Sequence, residues 1–152
     1  MKKYALLDLK GKRGSKYYAV IDTNVIVSAF LKEGSIPDQI VSLALNGPII
    51  PLVNDEIISE YTEVLTRNKF GLSESEVKVF LNEFIKRALF LDKTKTNEDF
   101  DDPDDIVFYK IILTARSASN AYLITGNKKH YPIKSFVVTP REMIEIIEKD
   151  NK

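Results

Sequence analysis

Asp22, Glu60, a run of acids from Asp101 to Asp105, and Asn127 are the side chains best spaced to act together. Each stands where a parallel strand would end or a helix would begin. Asp22 closes the apolar stretch Tyr17-Tyr18-Ala19-Val20-Ile21 and is followed by Thr23-Asn24. Glu60 lies in a helix-like stretch after Ile49-Ile50-Pro51-Leu52-Val53. Asp101-Asp102-Pro103-Asp104-Asp105 opens another helix. Thr125-Gly126-Asn127 follows Ala121-Tyr122-Leu123-Ile124, with an amide in place of an acid. In an open α/β sheet the carboxyl ends of the strands share one edge, where ligands bind. Carboxylates dozens of residues apart converge there, and they repel one another unless a cation joins them. Hard divalent ions such as Mg²⁺ or Mn²⁺ take oxygen ligands of this kind, hold a phosphate oxygen and lower the pKa of a bound water.

The elements that must position these groups alternate. A strand is expected over 18–21, rich in aromatic and β-branched residues, and Val25, Ile26, Ala29 and Phe30 then follow helical spacing. Ser35-Ile36-Pro37 reads as an N-cap with proline in the first turn, and Asn46-Gly47-Pro48 stops that helix. A short buried strand spans 49–53. Asn54 caps a helix with apolar face Ile57, Ile58, Tyr61, Val64 and Leu65. Ser73 with Glu76 forms a capping box for a helix running to about Leu89, and a third strand is expected within 88–91. After a polar loop over 92–101, a helix begins at Asp104. Strands at 122–125 and 136–138 precede a last helix, capped by Thr139 with Pro140 at its first position. Such alternation, with continuous apolar strands, predicts a three-layer α/β/α sandwich around a parallel sheet.

Length and composition set the outer bounds. At 152 residues, 44% hydrophobic and 29% charged, the chain suits one globular domain with an ordinary core. Residues 1–16, ending in Lys10-Gly11-Lys12-Arg13-Gly14-Ser15-Lys16, read as an N-terminal appendage, and 17–152 as the domain proper. With no cysteine, disulfides and thiolate metal sites are excluded. The apolar start of the chain stops at Asp8, far short of the ~20 apolar residues of a membrane span. A cytoplasmic protein without membrane contact is expected. The 22 basic and 22 acidic side chains cancel, so overall charge does not point to nucleic acid. Their distribution does more, with acids at 98–105 between basic stretches that include Lys12, Arg13, Lys128, Lys129 and Lys134. An acidic centre with basic flanks suits a metal enzyme acting on a phosphodiester, and a patchy solvated surface would look the same.

Four segments in this order resemble the PIN-domain family of metal-dependent ribonucleases, in particular the toxin components of toxin–antitoxin pairs. They are Val20-Ile21-Asp22-Thr23-Asn24-Val25, Ile57-Ile58-Ser59-Glu60-Tyr61-Thr62-Glu63-Val64-Leu65, Asp102-Pro103-Asp104-Asp105-Ile106-Val107-Phe108 and Tyr122-Leu123-Ile124-Thr125-Gly126-Asn127. The resemblance covers roughly 18–147. It implies Asp22, Glu60 and Asp105 as catalytic metal ligands, Asp102 as an accessory ligand, and Asn127 as a fourth metal ligand, an amide oxygen where the family often has an acid. It implies RNA as substrate, Mg²⁺ or Mn²⁺ as cofactor, a small antitoxin protein that blocks the acidic cleft, and homodimers as a common assembly.

Neighbouring groups are read more plainly. Asn24, Thr125 and Lys128 are the substrate-contacting candidates. Asn24 could instead open its helix, and Thr125 could hold Asn127 or the third acid. Asp101, Asp102 and Asp104 are equally suited to capping. Glu56 and Glu63 read as a solvated stripe, His130 as a surface residue, and Tyr17, Tyr18 and Tyr131 as packing groups without a role in the chemistry. The rival reading is a PIN-fold module, catalytically weak or inactive, that binds RNA or protein; the amide at Asn127 is its support. A phospho-acceptor domain is disfavoured by Thr23-Asn24 after Asp22. Nucleotide-binding loops are excluded because no glycine-rich strand-to-helix turn exists.

Overall fold

In the computed structural model the described residues are 16–151. The appendage expected at 1–16 lies outside them, apart from Lys16. Among the described residues five strands form: β1 (Tyr17–Ile21), β2 (Ile49–Val53), β3 (Leu89–Phe90), β4 (Tyr122–Ile124) and β5 (Val137–Val138). Six α-helices join them: α1 (Thr23–Leu31), α2 (Ile36–Asn46), α3 (Asp55–Leu65), α4 (Glu74–Arg87), α5 (Pro103–Arg116) and α6 (Pro140–Asp150). All strand pairs are parallel, in the order β3-β2-β1-β4-β5. Helix α5 lies across β1, β2 and β4 on one face, and α2, flanked by α1, α4 and α6, covers the other. The fold is the expected three-layer sandwich.

Local chemistry explains most boundaries. Ser35, Asn54, Ser73, Asp102 and Thr139 each turn a side-chain oxygen onto a first-turn amide of the following helix. Glu76 and Glu142 complete capping boxes. The third strand is shorter than expected. Helix α4 stops at Arg87, Ala88 is already extended, and β3 pairs only with Leu52 and Val53. That pairing starts beyond Pro51, whose ring nitrogen has no hydrogen for a ladder. Residues 92–101 form the expected loop, but not a wholly polar one. Phe100 turns inward onto Tyr109 and Tyr131, at centroid distances of 5.3 and 6.0 Å. No helix among the described residues is long and apolar enough to cross a membrane.

The connection leaving β1 crosses toward β2, whereas β4 returns on the opposite side of β1. The carboxyl ends of β1 and β4 therefore flank the switch point at which such sheets bind ligands. The buried face of α3 braces this edge: Tyr61 is fully buried, edge-on to Phe84, and donates its hydroxyl to the Ile21 carbonyl at 2.5 Å. Tyr61→Phe keeps the ring and removes that donor one residue before Asp22. A loss of about 1 kcal/mol is expected, read as a lower urea midpoint with unchanged slope. An unaltered midpoint would show that the bond carries no net stability.

Candidate active site

Asp22 ends β1 and caps α1, and only 5% of its surface is exposed. Its Oδ2 accepts three hydrogen bonds: from the Thr125 hydroxyl at 2.8 Å, the Tyr131 hydroxyl at 3.0 Å and Asn24 Nδ2 at 3.3 Å. Its Oδ1 receives only a long 3.5 Å contact from the Asn24 amide. Burial pushes the Asp22 carboxyl above its ordinary pKa, and the Thr125 and Tyr131 hydroxyls oppose that rise. Burial likewise pushes the Tyr131 phenol far up, and Asp22 adds to this, so the phenol remains a donor. Asn24 bridges the two strand ends, since its Oδ1 accepts from the Gly126 amide at 3.0 Å. Gly126 permits that approach, because a Cβ there would lie 3.1 Å from Asn24 Oδ1.

Two further carboxylates reach the same edge from helices. Glu60, half-buried on α3, has a raised pKa, mainly from burial, with Asp104 and Glu63 adding to it and the nearby Thr23 hydroxyl opposing it. Asp105, in the first turn of α5, is 9% exposed. Its pKa is pushed up to about 6, first by burial and then by the Asp22 and Asp102 carboxylates. His130 Nδ1 stands 3.6 Å from Asp105 Oδ2. Asp102 is the helix cap, accepting from the Asp104 amide at 2.9 Å.

Asp22, Glu60, Asp102, Asp104 and Asp105 line one open cleft of about 410 Å³, together with Thr23, Asn24, Arg67, Phe70 and His130. Thr125 reaches it only through Asp22. Asn127 does not line it: its Oδ1 caps the Lys129 amide at 3.2 Å and its Nδ2 meets His130 Nε2 at 3.1 Å. Lys128 is likewise outside the lining, with Nζ paired to Glu142 at 3.1 Å. Glu63 and Glu56 are spent on exposed ion pairs with Arg67 and Lys93. Arg67 and Phe70 have no place in the sequence reading, and His130 and Tyr131, read there as a surface and a packing residue, meet the acids here. Arg67 had a signal, because it lies seven residues, or about two helical turns, beyond Glu60. Phe70 and His130 sit on single 3₁₀ turns and Tyr131 just after one, where no helical or strand periodicity sets a side chain's direction.

The donors fit a hard cation in kind. They are carboxylate oxygens whose pKa values are raised by burial and, at Glu60 and Asp105, by neighbouring acids, with the buried Thr23 hydroxyl beside Glu60. Their spacing is open: among the described residues, no three His, Cys, Asp or Glu stand close enough to share one ion. Asp22, Glu60 and Asp105 are the groups that would hold it.

The PIN domain model matches residues 18–129, a stretch that contains Asp22, Glu60 and Asp105. An uncharacterised protein of Methanocaldococcus jannaschii is 27% identical over 150 residues, covering 88% of this chain and 94% of that protein. No solved structure matches significantly. With nearly three quarters of its length matched and the acids of three separate elements gathered at the carboxyl edge of a parallel sheet, the chain belongs to the PIN domain family, whose members are generally nucleases.

Proposed function

We propose that this protein is a Mg²⁺- or Mn²⁺-dependent ribonuclease that hydrolyses phosphodiester bonds in the cleft between β1, α3 and α5. The observation that supports it most is the meeting of Asp22, Glu60 and Asp105, from three distant segments, in one solvent-open cleft. Water alone stabilises such a cluster poorly, because burial raises the cost of each charge and the Asp22 and Asp102 carboxylates add to it at Asp105. When bound, a divalent cation supplies Lewis acidity toward a phosphodiester and a more acidic water. The chain's own residues do the rest. Asp22, Glu60 and Asp105 would hold the cation after closing from their metal-free spacing, and the buried Thr23 hydroxyl would orient the Glu60 carboxylate beside it. Arg67, the only lysine or arginine among the lining residues, takes a phosphate oxygen by releasing Glu63. The finer assignment, the cytoplasmic toxin of a toxin–antitoxin pair, rests on the four-segment resemblance and is tested by whether a small protein encoded next to it abolishes cleavage.

Cleavage of single-stranded RNA with Mn²⁺, and its loss with chelator, is the direct test. Protein that binds RNA yet cleaves it with neither metal would instead support the binding-module reading, which the open spacing of the acids favours. Within the same assay, Arg67→Ala should raise KM by about tenfold, the value of one charge-assisted phosphate contact, with kcat little changed. An unchanged KM would remove Arg67 from substrate binding.

A further inference from the structure

The three donors on Asp22 Oδ2 are unusual in their origin. Asn24 is local, but Thr125 and Tyr131 reach the carboxylate from 103 and 109 residues away. Terminal carboxylate torsions are broad and roughly two-fold, so an isolated aspartate presents either oxygen. Two hydroxyls from one side remove that freedom. We propose that Tyr131 is a positioning residue that, with Thr125, pins Oδ2 of Asp22 so that Oδ1 is the oxygen offered to a cation in the cleft.

The surroundings of Tyr131 suit that role. The side chain is 5% exposed and follows directly on the Lys128–His130 turn, with its amide bonded to the Lys128 carbonyl at 3.1 Å. Its ring meets Phe100 edge-on, at 6.0 Å and 79°. Phe100 lies just before Asp102 and Asp105, so the ring contact fixes the segment that brings the third acid. One tyrosine thus ties the turn carrying His130, the approach to α5 and the end of β1 into a single frame. Tyr131 also lies beyond the 18–129 stretch that matches the family model, so the assignment comes from this chain's own geometry.

The role in turnover rests on the ribonuclease reading, and the test separates the two. Tyr131→Phe keeps the ring and its packing while removing the hydroxyl. It should lower kcat about tenfold, leave KM for RNA within about twofold, and weaken Mn²⁺ binding several-fold in calorimetric titration of the RNA-free protein. In an Asp22→Asn background the same change should have no further effect on Mn²⁺ affinity, since the group being positioned is gone. A purely structural role predicts no change for Phe, or an equal loss in both backgrounds, and either result overturns the proposal. If Tyr131→Phe does not fold, Thr125→Val, which removes the companion hydroxyl, must show the same kcat and Mn²⁺ pattern; normal values overturn the proposal. If the unsubstituted protein binds Mn²⁺ but cleaves no RNA, the ribonuclease reading fails and calorimetry alone decides Tyr131. Equal binding in parent and variant, or none in either, counts against it.

Discussion

Asp22→Asn is expected to cut Mn²⁺-dependent RNA cleavage by at least about a thousandfold, the order of effect reached when electrostatic stabilisation of the transition state is lost. The metal-free fold should remain intact. Asp22 is the most buried of the three acids, and its charge is held mainly by donors on Oδ2, with only the long Asn24 amide contact on Oδ1. An amide can place its carbonyl where Oδ2 stands and keep the Thr125 and Tyr131 hydroxyls satisfied. It brings no negative charge to the cleft. Two effects on stability oppose each other: the burial penalty of a carboxylate disappears, and the charge-assisted hydrogen bonds become neutral ones. The net change should stay within about 1 kcal/mol, at parity or slightly stabilising. Initial rates on single-stranded RNA and urea unfolding in chelator measure the two halves. Cleavage at the parental rate would remove Asp22 from the cation's ligands, whatever the stability.

The fold was legible because its signals are local. Ser35, Asn54, the Ser73–Glu76 box and Thr139 each announce a helix through their own backbone, and buried parallel strands read as continuous apolar runs. The places of Asp22 and Asp105 were legible for the same reason, since topology sets a strand end and a first helical turn, whereas Glu60, in the second turn of α3, was found through the four-segment resemblance. What remained hidden depends on side chains that travel. Tyr131 looks like any loop aromatic until Phe100 and Asp22 are found against it. Lys128, a substrate-contacting candidate by sequence, is drawn away by Glu142, which its capping box fixes, and Arg67 stands in the cleft instead. Asn127 departs from the family's commoner acid, and in this structure its amide serves the turn that carries His130.

A second large effect is expected in how stability responds to pH, and its sign depends on the cation. Asp105 has its pKa raised from 3.8 to about 6, and burial raises Asp22 and Glu60 as well. Without metal, the folded state therefore holds more protons than the unfolded chain between about pH 4 and pH 6 to 7. Stability is lost as pH rises through that window and regained on acidification, at no more than about 1.4 kcal/mol per pH unit for each such proton. Below the window the trend ends, because groups such as Glu142, whose pKa is lowered by the Thr139 amide and Lys128, then give up their own contribution. A divalent cation binds the ionised carboxylates and competes with those same protons. In excess Mn²⁺ the protein should become more stable as pH rises from about 5 to 7, and the stabilisation by Mn²⁺ should vanish near the acid end. Asp105→Asn should flatten the chelator curve and weaken the Mn²⁺ response together. Urea midpoints across the range, with chelator and with Mn²⁺, decide the matter. Parallel curves would mean that the cation and the protons do not share a site, and the carboxylate cluster would lose its claim to hold the metal.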